Sequence, residues 1–71
     1  MSTIYIAIES QEVGEILLNY MVKNKIVKSF KQGCTLPIPV FIIIYAKKNK
    51  KKLFSMLKKK CKNSYKIIRE N

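Results

Sequence analysis

The stretch "VFIIIYA", residues 40–46, holds six β-branched or aromatic residues in seven positions and no charge. A run this short, with prolines before it and lysines after it, suits a strand better than a helix. Both alternating sets of its side chains are apolar, which is the pattern of a central strand covered on both faces. The rest of the chain is read outward from this strand.

Upstream, "TIYIAIES" alternates Ile4, Ile6 and Ile8 with Tyr5, Ala7 and Glu9, the period of a first strand. Ser10 then offers an N-cap oxygen to a helix over "QEVGEILLNYMVKN". Within it Val13, Ile16, Leu17, Tyr20 and Met21 fall at helical spacing on one face. Glu12 and Glu15 in the first turns and Lys23 and Lys25 near the end match the helix dipole. "KIVKSFKQG", residues 25–33, reads as a short basic strand ended by Gly33. "CTLPIP", residues 34–39, is a connector, because two prolines remove ladder donors.

Downstream, "KKNKKKLFSMLKKKCK", residues 47–62, carries nine lysines. On a helical wheel Leu53, Phe54, Leu57 and Cys61 form a stripe with Met56 at its margin. Lys48, Lys51, Lys52, Lys58, Lys59 and Lys62 fill the opposite arc. "SYKIIRE" closes the chain as a last strand, with Tyr65 and Ile67 on one face. Val13, Ile16, Leu17, Leu53 and Leu57 are expected to be buried between helices and sheet.

The order β-α-β-β-α-β is that of the ferredoxin-like split unit. The expected architecture is one α+β domain over residues 1–71, a four-stranded antiparallel sheet with two helices on one face. The first and third strands are central. The second and fourth are edges, and they carry the charges Lys25, Lys28, Lys31, Lys66 and Arg69 that discourage strand addition.

"SQEVGEILLNYMVKNKIV", followed by "VFIIIYAKKNKKKLFSMLKKKC", resembles the CutA/PII-like group of ferredoxin-fold proteins. That resemblance implies a compact trimer, with regulatory, metal-tolerance or nucleotide-sensing roles among its members. Two features depart from the group. The long hairpin between the second and third strands is reduced to "CTLPIP", and "CKNSY" replaces a histidine-bearing turn. No phosphate-cradling glycine motif can be matched, so the resemblance assigns no ligand residue.

The chain of 71 residues has neither histidine nor aspartate and only four carboxylates. General acid–base and two-metal chemistry draw on convergent groups of those types. Glu9 reads as a solvated residue beside a helix start rather than a metal ligand. Cys34 is a candidate thiol nucleophile without a base partner. Cys34 and Cys61 show no metal-ligand spacing, and neither zinc nor a disulfide is expected. The sequence therefore points away from an enzyme, with no catalytic residue and no cofactor.

Charge is the feature that points toward a partner. Residues 1–22 carry Glu9, Glu12 and Glu15 and no base; residues 23–71 carry all fifteen Lys and Arg and only Glu70, for a net charge of +11. Such a field attracts polyanions, nucleic acid foremost. Lysines one turn apart can follow a phosphate backbone without reading its sequence. The lysine-, asparagine- and isoleucine-rich composition also fits an AT-rich genome and a solvated face. In the expected fold the sheet has one uncovered face. Tyr5, Phe41, Ile43 and Tyr45 are assigned to it as a homo-oligomer interface, dimer or trimer.

No run reaches the roughly 20 apolar residues that span a bilayer, and "MSTIYIAIES" lacks a basic leader, so a cytoplasmic location is expected. Three function classes follow. The first is a non-enzymatic nucleic-acid-binding protein that self-associates through its sheet. The second is a PII/CutA-like regulatory or ligand-sensing oligomer. The third, viral or phage-borne interference with a host factor, fits the size and has no residue-level signature.

Overall fold

Ile4, Ile6 and Ile8 are buried along β1 (Ser2–Ile8), as their alternation requires, while Thr3 and Tyr5 on the other face are half-buried. The computed structural model describes residues 1–33 and 38–71. After β1 come α1 (Gln11–Lys23), β2 (Ser29–Gln32), β3 (Val40–Tyr45), a 3-10 turn (Lys47–Asn49), α2 (Lys50–Cys61) and β4 (Tyr65–Glu70). The strands form one antiparallel sheet in the order β2-β3-β1-β4. This is the ferredoxin-like α+β arrangement, with β1 and β3 central as the sequence indicates.

Register places the core. β1 and β3 pair Ile4 with Ile43 and Ile6 with Phe41, so these four buried side chains share one face of the sheet. Leu17, Leu18 and Met21 from α1 and Leu53, Leu57 and Cys61 from α2 close over them. Phe30 of β2 packs its ring on Phe41, with centroids 6.2 Å apart.

Three expectations need correction. First, Phe41, Ile43 and Tyr45 are 0%, 0% and 2% exposed and form part of the core beneath the helices. Of the assigned interface residues only Tyr5 lies on the uncovered face, where Val40, Ile42 and Ile44 accompany it. Both alternating sets of β3 are apolar, so periodicity alone could not choose between them.

Second, α1 is rotated from the expected face. Gly14, Leu17, Leu18 and Met21 are buried, whereas Val13 is 43% and Ile16 64% exposed. Gly14 sets the rotation: a Cβ there would lie 2.6 Å from Phe41 Cε1, so only glycine lets the helix approach so closely.

Third, the second strand is shorter than "KIVKSFKQG". Lys25 sits at φ 59°, and the amides of Lys25 and Ile26 donate to the carbonyls of Val22 and Met21 at 3.1 and 2.9 Å. That is a Schellman ending to α1, in which the left-handed residue is a lysine. It takes up residues 25–27 and drops Val27 into the core, so the Lys28 amide is the first to bond β3, donating to the Ile44 carbonyl at 2.8 Å, and β2 starts at Ser29.

At the other end of α1, Ser10 caps as expected, its hydroxyl accepting from the Val13 amide at 3.2 Å. In β4 the register shifts between Ile67 and Arg69, which face Ile6 and Tyr5; Ile68 has no partner on β1 and is exposed. No helix among the described residues is long and apolar enough to cross a membrane.

Candidate nucleic-acid interface

The expected lysine helix begins as the 3-10 turn Lys47–Asn49 and becomes α-helical at Lys50. Leu53, Leu57 and Cys61 recur at i, i+4 and i+8 and are buried, so they fix which side of α2 faces the sheet. The nine lysines between positions 47 and 62 are consequently all exposed.

Electrostatics at the start of α2 are unfavourable for an isolated helix. Lys50, Lys51 and Lys52 occupy its first turn with no acid among them, opposing the positive end of the dipole. Asn49 holds the N-cap position, but its side chain makes no cap bond and instead donates to the Lys25 carbonyl at 3.3 Å. At the far end Lys58, Lys59 and Lys60 complement the dipole.

Among the described residues the one salt bridge joins Lys50 Nζ to Glu70 Oε1 at 2.9 Å. The hydrogen bond to Glu70, and then its charge, raise the Lys50 pKa above the usual lysine value. Lys50 also stands over the Phe54 ring, 5.5 Å from its centroid. It is thus engaged within the chain.

The six assigned lysines do not share one environment. Lys51, Lys52, Lys58 and Lys59 belong to α2, whereas Lys48 lies in the 3-10 turn and Lys62, at φ 49°, in the helix cap. Lys51, Lys52 and Lys59 border the seam between α1 and α2. Lys48 borders a separate depression with Lys25 and Lys28. Lys60, left out of the wheel arc, is exposed and stands at the seam beside Lys59. Its position at the edge of the core stripe hid it.

The uncovered sheet face carries Tyr5, Val40, Ile42 and Ile44, all half-buried, with Lys31 and Lys66 at its sides. The Arg69 guanidinium lies 5.9 Å from the Tyr5 ring centroid. Burial pushes the Cys61 thiol pKa up, which suppresses the thiolate. Glu9 is exposed, and its amide donates to the Ser64 carbonyl at 3.0 Å. Cys34 lies outside the described residues.

The fold and its cationic helix define a small basic ferredoxin-like protein. No family model, no curated protein and no solved structure matches the chain.

Proposed function

We propose that this chain is a non-enzymatic nucleic-acid-binding protein of the cytoplasm, holding phosphate backbone with the lysines of α2 and of the turns at its two ends, and self-associating through its open sheet face. One observation carries the reading. From Lys47 to Lys62 nine lysines are exposed, no acid lies among them, and Lys50 alone has an ion-pair partner among the described residues.

Repulsion within that set opposes the folded state, and a polyanion relieves it while releasing its own counterions. The 12 residues of α2 span about 18 Å at the usual helical rise. That is the length of about five steps along one strand of a duplex at ~3.4 Å each. Such contacts hold the backbone and leave the bases unread. Self-association is supported by the aliphatic face of Val40, Ile42 and Ile44 beside Tyr5, which nothing in the chain covers among the described residues.

The test is binding to generic DNA and RNA at several salt concentrations, with wild type and a variant carrying Lys48→Gln, Lys58→Gln and Lys62→Gln. These three side chains are exposed and away from the core, so the fold should persist. Each lost phosphate contact should lower the slope of log K against log salt by about 0.7 to 0.9. Weakening should be uniform across sequences. A solvated face predicts equal slopes. If wild type does not bind even at about 50 mM salt, the reading fails and a ligand-sensing oligomer takes its place.

A further inference from the structure

α1 has more apolar surface than its core contact uses. Beyond the buried Leu17, Leu18 and Met21, it exposes Val13 (43%), Ile16 (64%) and Tyr20 (53%). These three recur at i, i+3 and i+7, so they form a second stripe along the helix. Singly exposed apolar residues need no explanation, but a row of them beside a concavity does.

The concavity is the seam between the helices. Val13, Ile16 and Tyr20 line a groove of about 540 Å³ with Met56, Lys59 and Lys60 of α2. A second depression of about 540 Å³ follows, in which Tyr20 and Met56 recur beside Ile26, Lys51 and Lys52. Sharing Tyr20 and Met56, the two make one trough whose length follows α1 from Val13 to Asn24, about 16 Å at the usual rise. Its floor is apolar. Its α2 wall carries Lys51, Lys52, Lys59 and Lys60, with Ser55 and Met56 between them.

We infer that this trough receives an acidic amphipathic helix of about three turns from a partner protein. The shape suits a helix, because apolar anchors at i, i+3 or i+4, and i+7 would match the stripe on α1. An extended peptide would find no unpaired backbone to bond along two helices. The charge selects the partner's sign, since Lys51, Lys52, Lys59 and Lys60 face a ligand seated on the floor. The acids of this chain near the trough, Glu12 and Glu15, are exposed on α1, so the partner's acids belong on its α2-facing flank. A second copy of this chain is disfavoured at this place because it would bring its own Lys51, Lys52, Lys59 and Lys60 against the same four lysines here. Nucleic acid is disfavoured at this place because Tyr20 alone offers a planar face, among the aliphatic Val13, Ile16 and Met56, and successive bases need several. The inference does not depend on the lysines tested under the proposed function.

The probe is a designed peptide of about 16 residues, long enough to hold a helix, with Leu at i, i+3, i+4 and i+7 and Glu along one flank. A control carries Lys in place of each Glu, and a second control scrambles the Leu positions. Titration by calorimetry and by amide-shift mapping should give saturable binding of the Glu peptide. Shifts should be confined to residues 13–26 and 51–60. Replacing Ile16→Ser with Tyr20→Ser should weaken binding at least about tenfold, which corresponds to ~1.4 kcal/mol, and should leave DNA binding unchanged. Both residues are more than half exposed, so folding should survive; if it does not, the peptide controls on wild type still decide.

Equal binding of the scrambled peptide would mean plain charge attraction and overturn the inference. So would saturable binding of the Lys peptide or shifts centred on the sheet face. Absence of peptide binding together with Ile16-dependent binding to phosphatidylglycerol vesicles would reassign the trough to a membrane surface. A drop in native mass on Ile16→Ser would reassign it to a second copy.

Discussion

Gly14 of α1 lies against the rim of the Phe41 ring, so close that a Cβ would come within 2.6 Å of Cε1 and 2.8 Å of Cζ. Phe41 is fully buried, paired with Ile6 across the sheet and packed against the Phe30 ring, so the ring has little room to retreat. Gly14→Ala should therefore destabilise the protein, although alanine is the better helix former. Overpacking of this kind costs about 1–3 kcal/mol, and the propensity gain returns up to ~1 kcal/mol. Urea unfolding measures the difference; a more stable variant would mean that the helix stands farther from the sheet.

The Schellman ending makes the opposite forecast for Lys25. Its φ of 59° is the left-handed region, which costs an L-residue roughly 1–2 kcal/mol and glycine little. Lys25→Gly should raise stability by up to about 1 kcal/mol, part of the relief being offset by the added freedom of the unfolded chain. Lys25→Val should lower it. If both variants are equally stable, α1 ends some other way.

The two faces of β3 can be told apart with one substitution each. Ile42 is half-buried on the open face, and Ile43 is 0% exposed beneath the helices. Ile43→Lys buries an unpaired ammonium and should abolish folding. Ile42→Lys should leave the far-ultraviolet dichroism and the melting cooperativity intact, and it should lower the mass seen by light scattering if the open face joins copies of the chain. A wild-type monomer at micromolar concentration would remove that proposed interface.

What the sequence made legible is the order of elements, because each transition carries a local signal. The isoleucine alternation of β1, the Ser10 cap and the lysine-flanked stripe of α2 all lie where they were read. Orientation was harder. In β3 the sets Phe41, Ile43, Tyr45 and Val40, Ile42, Ile44 are equally apolar, and only pairing with Ile4 and Ile6 of β1 chooses the first. In α1 the wheel counted apolar side chains and passed over Gly14, yet the residue without a side chain marks the closest contact. The trough at Val13, Ile16 and Tyr20 was hidden for the same reason, since those residues were spent on the core. Lysine exposure was plain from the pattern, whereas the division of those lysines between seam and outer surface depends on how two helices sit side by side.

The unpartnered Ile68 of β4 has a consequence for a chain of this composition. "VFIIIY" is a six-residue uncharged segment of the sort that stacks into fibrils when it is free to pair. Here both of its ladders are taken, by β2 on one side and β1 on the other. The outermost strands are poor templates for a newcomer: β2 has four residues and carries Lys31, and β4 is interrupted at Ile68 between Lys66 and Arg69. Its central place thus shields the stickiest segment of the molecule, and the break at Ile68 guards the outer edge beside it, so that copies brought close together can lie side by side without fusing into one sheet.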